Sequence, residues 1–114
     1  MSAKLPIELR PLSREHVVSF CRLVVALAEF EKLPRPDEVA QMRVVEDALG
    51  VKPRIEVWLA FVNGEAEPCS YMILVETYSS FLALPTLYLE DLFVLPERRK
   101  AGVGGALLKK AVSL

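Results

Sequence analysis

The sequence predicts an α/β fold in which helices pack against one mixed sheet, and three observations carry that prediction. Short runs at Ile7–Arg10, Glu56–Val62, Pro68–Glu76 and Thr86–Val94 have the alternation or the β-branched and aromatic content of strands. Apolar residues recur at three- and four-residue spacing from Arg14 to about Glu31 and again from Val103 to Leu114, the period of helices. The order is strand, helix, helix, strand, strand, strand, helix, and 114 residues hold one domain at most, with helices packed against the sheet.

Taken in order, Ile7 to Arg10 is a half-buried strand that Pro11 ends. Ser13 is placed to cap a helix in which Val17, Phe20, Cys21, Val24, Leu27 and Ala28 share one face, with His16 on the polar side. The prolines of KLPRPDE, Lys32 to Glu38, stop that helix in a loop. A second helix is expected from Met42 to Leu49, with Gly50 as its stop. Glu56–Val62 and Pro68–Glu76 read as strands around an Asn63-Gly64 turn, and Tyr78 to Pro85 as an irregular link. Thr86–Val94 is apolar enough for an interior strand, and the last helix is still in its apolar pattern at Leu114.

Composition narrows the function classes. Hydrophobic residues make up 53% and charged ones 25%, as in a folded globular domain. A net charge of -1 leaves no basic footprint for nucleic acid or an anionic membrane. Cys21 and Cys69 lack C-x-x-C spacing and there is one histidine, so no metal site is expected and both thiols read as reduced and partly buried. The start MSAKLPIELR has no signal-peptide core and no apolar run reaches membrane-spanning length; the expected location is cytoplasmic.

The stretch LYLEDLFVLPERRKAGVGG, Leu87 to Gly105, holds the chemistry. Glu90 and Asp91 sit in a strand, where carboxylates are depleted and costly to bury unpaired. Strand alternation sends Glu90 with Tyr88 and Leu92, and Asp91 with Leu89 and Phe93, so they read as single sites rather than a dyad. Each either partners a cation of the protein itself or binds a cationic substrate and accepts its proton. Beyond Pro96, Arg99, Gly102 and Gly104 form R-x-x-G-x-G where a loop becomes a helix. Free N–H groups and the helix dipole there suit a pyrophosphate. Glycines chosen for close packing are the alternative. A Walker loop is a poor match because Lys109 and Lys110 come too late, and so is a dinucleotide fingerprint because Leu107 stands where a small residue is required.

Arg99-Lys100-Ala101-Gly102-Val103-Gly104 reads [QR]-x-x-G-x-[GA]. Together with LYLEDLFV, LAEFE at Leu27 to Glu31 and TYSSF at Thr77 to Phe81, it resembles the GCN5-related N-acetyltransferase (GNAT) superfamily, and within it the spermidine/spermine (diamine) and thialysine N-acetyltransferases. The resemblance spans nearly the whole chain. It implies a GNAT-like acyl-CoA N-acyltransferase fold and acetyl transfer from acetyl-CoA, with no metal, to a primary amine by direct attack. Leu92, Phe93 and Val94 would pair through their backbone with the pantetheine arm and acetyl carbonyl. Lys100, Ala101, Gly102, Val103, Gly104 and Gly105 would cradle the pyrophosphate, with Arg99 beside them. Phe30, Glu31, Glu90 and Asp91 would bind the cationic amine, and Glu90 would be catalytic.

Family members continue past the motif helix with a further strand, a helix and a strand pair, and the tyrosine that protonates the leaving thiolate lies in that part. Residues 1–114 are therefore expected to be the N-terminal portion of a single domain, truncated after the helix that follows the fourth strand. That strand should be an exposed edge, completed by a homodimer partner or another chain. The alternative to an acetyltransferase is a non-catalytic CoA-binding or subunit-interaction remnant completed by a partner.

Overall fold

The run IEVWLAFV is apolar at successive positions, which a strand can satisfy only when both of its faces are covered. The computed structural model describes residues 6–114, and there this run forms β2 (Ile55–Val62), an inner strand. It lies between β1 (Ile7–Pro11) and β3 (Ser70–Ser79), and β4 (Leu84–Val94) follows β3 in the order β1-β2-β3-β4. All three pairings are antiparallel, so the sheet expected to mix directions does not do so among the described residues. Short links between β2, β3 and β4 require this, since a parallel return needs a long crossover.

Alternation along β2 builds two cores. Val57, Leu59 and Phe61 face one side, with Tyr71, Ile73 and Phe93 from the neighbouring strands. There they meet Phe20 and Leu23 of α1 (Val17–Phe30). Ala60 and Val62 face the other side with Met72 and Leu74, under Val103 and Leu107 of α3 (Val103–Ser113). The Phe20 ring meets Tyr71 edge-on, with centroids 5.3 Å apart.

Several local expectations change. Ser13 makes no side-chain cap; it precedes a 3-10 turn at Arg14–His16, from which α1 starts at Val17. His16 does not face solvent, because its ring packs against Phe61 at 5.0 Å. The second helix, α2 (Glu38–Leu49), begins a full turn earlier than the apolar pattern suggests, since Asp37 caps it: the Ala40 N–H donates to Asp37 Oδ1 at 2.8 Å. Asp37→Ala should therefore cost about 1 kcal/mol of stability. Urea denaturation of the two proteins, compared at equal slope, checks it.

Tyr78 to Pro85 is not an irregular link. β3 and β4 stay paired out to Ser79 opposite Leu84, leaving a tight turn with Ala83 at φ 53°. The hairpin's outer half projects beyond the helices, so its strands lack the apolar pattern that burial imposes.

Candidate active site

β4 carries a bulge at its acidic pair. Ile73 opposes Asp91 and Leu74 opposes Leu89, which leaves Glu90 as an extra residue without a partner. The alternation that would separate Glu90 from Asp91 is broken at that point. Asp91 shares a face with Phe93 and Tyr71, whereas Leu89 lies on the face of Leu74; the expected grouping of Asp91 with Leu89 is thereby corrected. The two carboxylates, expected to act singly, lie close enough for the charge of Glu90 to act on Asp91.

Asp91 is half-buried and Glu90 exposed. Burial first, then the negative charges of Glu90 and Glu31, hold the Asp91 carboxyl above its ordinary value, while the Tyr71 hydroxyl pulls the other way. Tyr71 is fully buried, and its hydroxyl lies 3.5 Å from Asp91 Oδ2. Burial, and then the charge of Asp91, push that phenol upward. The folded state thus holds the Asp91 proton more tightly than the unfolded chain. This carboxyl costs no stability below its unfolded value of 3.8 and an increasing amount as pH rises from there through the raised folded value. Asp91→Asn cannot ionise, so its unfolding free energy relative to the parent should improve as pH rises across that window. Denaturation at stepped pH reads this directly.

The C-terminal half of β4 offers backbone groups to its open side. The Leu95 N–H donates to Cys69 O at 2.9 Å, in the register that sets Ser70 opposite Val94. Facing pairs alternate between bonded and non-bonded in an antiparallel ladder. Phe93 therefore points its N–H and C=O at Tyr71, and its carbonyl also accepts the Ser70 hydroxyl at 2.6 Å. Leu92 and Val94 turn theirs outward. Of the three residues tied by resemblance to the acyl arm, only these two present outward backbone groups.

The loop after β4 passes through a 3-10 turn at Pro96–Arg98, where Arg98 pairs with Glu65. Gly102 then adopts φ 89° at the N-cap of α3, a left-handed conformation that a Cβ would strain. The Ala106 N–H bonds to Gly102 O at 3.0 Å, so the N–H groups of Val103, Gly104 and Gly105 precede the first helical hydrogen bond. Ala101 and Val103 bury their side chains in the second core, which anchors this helix start. A Cβ on Gly104 would meet only Val94 Cγ2, at 3.9 Å, and one on Gly105 would meet nothing within 4 Å. Close packing among the described residues thus does not call for glycine at either position.

Arg99 does not project freely beside this helix start. Its Nε donates to Val94 O at 3.0 Å, and its guanidinium lies 4.4 Å from the centre of the Phe30 ring and 5.8 Å from that of Phe93. Phe30 and Phe93 are themselves 6.3 Å apart. The end of α1, with Phe30 and Glu31, is thereby gathered with Glu90, Asp91 and Phe93 at one place on the sheet. Sequence reasoning missed Tyr71, whose hydroxyl is hidden in an apolar run that reads only as core.

A groove of about 740 Å³ between α1 and α2, lined by Val17, Cys21, Met42 and Val45 among others, shares no residue with β4 or α3. The carboxylates of β4 and the free N–H groups of α3 lie elsewhere. Burial holds the Cys21 and Cys69 thiols above their ordinary range, which disfavours a thiolate nucleophile. Among the described residues no group of three His, Cys, Asp or Glu side chains could hold a metal, and no helix is long and apolar enough to cross a membrane.

This sheet with its helices is the fold of solved acetyltransferases. A structure described as a probable acetyltransferase superposes with a TM-score of 0.82 at 21% identity, over 93% of this chain and 69% of that one. A ribosomal-protein-alanine N-acetyltransferase from Brucella melitensis biovar Abortus 2308 does so with a TM-score of 0.76 at 18% identity, over 95% and 71%. At such identities the likeness is one of fold. The model of the Acetyltransferase (GNAT) family matches residues 21–114, and the chain belongs to that family. The thialysine N-epsilon-acetyltransferases of Bos taurus and Mus musculus are 31% and 28% identical to it over 99 residues. Each match covers 82% of this chain and 58% of the relative, so the chain spans little more than half the length of these proteins.

Proposed function

We propose that the protein transfers the acetyl group of acetyl-CoA to a primary amine of a small cationic substrate, of the polyamine or thialysine type, in the cytoplasm. One observation carries this reading. Along β4 and its loop, a bulge with two carboxylates, a strand edge with outward backbone groups at Leu92 and Val94, and a helix start with free N–H groups follow one another without interruption. That is the order in which an amine, an acyl arm and a pyrophosphate would lie.

Acetyl-CoA fits the residues present. Outward N–H and C=O groups of Leu92 and Val94 suit the amides of its pantetheine arm. The N–H groups of Val103, Gly104 and Gly105, aligned with the dipole of α3, suit its pyrophosphate, and the glycines leave room for it to approach. Lys100 and Ala101 complete the turn that aims them. Arg99 would exchange its bond to Val94 O for the bound phosphate. When bound, the thioester supplies an activated acyl group.

The substrate ammonium is held by Glu31, Glu90 and Asp91, with Phe30 as an apolar wall. It must lose its proton before its nitrogen can attack the thioester carbonyl carbon. Glu90, exposed at the bulge beside Leu92, holds the cation at the acyl arm, and its contribution is mainly positional. The amine nitrogen then forms the new C–N bond, the C–S bond breaks, and the proton that the acylated nitrogen sheds neutralises the departing thiolate.

A partner chain is also proposed. β4 is an edge strand whose Leu84, Leu87, Tyr88 and Leu89 are exposed, an arrangement that pairing with a second copy would cover. The same surface supports the second reading, a non-catalytic CoA-binding or subunit-interaction module. Thiol release from acetyl-CoA by the full-length chain, with spermidine and with thialysine, separates the two. Amine-dependent release and an acetylated product by mass spectrometry support the enzyme. CoA binding without amine-dependent release overturns it in favour of the module.

A further inference from the structure

The bulge sets two carboxylates at one point of the sheet but gives them different surroundings. Glu90 is exposed and unpaired in the ladder. Asp91 is half-buried, on the face of Phe93 and Tyr71, with Tyr71 Oη 3.5 Å from its Oδ2. Tyr71 is fully buried between the Phe20 and Phe93 rings, which fix its own ring at centroid distances of 5.3 and 6.3 Å. A buried hydroxyl needs a partner, and among the described residues its partner is Asp91. The separation exceeds the ~3.0 Å upper range of a tight O–H···O bond, as is common for catalytic hydrogen bonds before substrate arrives.

We propose that Tyr71 is a positioning residue for acetyl transfer: by donating to Asp91 it makes Asp91 the proton acceptor, while Glu90 holds the substrate cation. This rests on the function proposed above. The proton moves from the substrate ammonium to the Asp91 carboxylate. The freed nitrogen lone pair bonds to the thioester carbonyl carbon, the C–S bond breaks with its electrons on the thiolate, the second proton of the acylated nitrogen passes to that thiolate, and Asp91 returns its own proton to solvent.

The groups around Asp91 agree with this assignment. Tyr71 faces it from β3, Glu31 from the end of α1 and Glu90 from its own strand, while Arg99 on the same face is committed to Val94 O and the Phe30 ring. Burial and the two negative neighbours raise its titration and make its carboxylate a better base than an isolated aspartate, while the Tyr71 hydroxyl acts in the opposite direction. Loss of the hydroxyl should move its titration to higher pH.

The test compares pH profiles of kcat/KM for acetylation of spermidine or thialysine by the full-length protein and three variants. Tyr71→Phe keeps the buried ring. Its acidic limb should move to higher pH, with a loss on the order of 10-fold at the acid end and a smaller one at the plateau. Asp91→Asn should lose the limb together with about 100-fold or more in kcat. Glu90→Gln should keep the limb, moved to lower pH by the loss of its negative charge, and act mainly on KM. A folded Tyr71→Phe with an unmoved limb overturns the proposal, as does a limb that persists in Asp91→Asn and disappears in Glu90→Gln. Should Tyr71→Phe fail to fold, fluorotyrosine at position 71, a stronger donor of nearly the same shape, should move the limb to lower pH, and an unmoved limb there overturns the proposal. Wild-type protein without amine-dependent turnover overturns the underlying function and this assignment together, which no Tyr71-specific failure would mimic.

Discussion

In the full-length protein, Glu90→Gln is expected to lower kcat/KM for the cationic amine by about 100-fold, most of it in KM. The substitution keeps the shape of the side chain and removes its charge. Hydrogen bonds to a charged group contribute roughly 1.5–3 kcal/mol each, or about 10- to 100-fold, and misplacing the nitrogen relative to the thioester adds to the loss. Glu90 is exposed and has no cross-strand partner, so the variant should fold as the parent does. Steady-state kinetics with saturating acetyl-CoA measure the effect. Unchanged kcat/KM would remove Glu90 from the site.

Gly104→Val should weaken CoA binding by about 10- to 100-fold, the equivalent of one charge-assisted hydrogen bond to the pyrophosphate. Stability should change by less than about 1 kcal/mol, because valine is the better helix former and the new Cβ meets only Val94 Cγ2 at 3.9 Å. The combination separates a ligand role from a packing role, since a glycine needed for packing would cost stability when replaced. Gly102→Ala is the contrast. At φ 89° it should lose about 1–2 kcal/mol through backbone strain before any ligand is added. Calorimetric titration with CoA and urea denaturation of each variant give the two readouts. Full CoA affinity in Gly104→Val would show that the helix start does not approach the pyrophosphate.

The fold was largely legible because burial writes a period into the chain. β2 is apolar on both faces and α1 on one, and their positions follow from that alone. Where burial ends, so does the signal. The outer end of the β3–β4 hairpin pairs Tyr78 with Pro85 and Ser79 with Leu84 yet reads as a link, because neither strand there has a core to face. The start of α2 was hidden for a different reason: Asp37 defines it through a side-chain bond to the Ala40 N–H, whereas its apolar residues begin to recur only later.

The motif Arg99 to Gly104 and the acids Glu90 and Asp91 could be located by type and spacing, since backbone freedom and charge belong to individual residues. Their relation to one another could not. A single extra residue in β4 changes which face each side chain takes, and sequence alternation has no mark for it. Nor does Arg99 reveal in sequence that it will bridge Val94 O and the Phe30 ring, because that contact joins segments far apart in the chain. By itself the sequence determined the order of the elements, the glycine-rich helix start and the presence of acids before it, all of which depend on local chemistry. The tertiary structure decided which face Asp91 takes, that Tyr71 reaches it, and that Leu92 and Val94 turn their backbone outward, because each depends on register between strands.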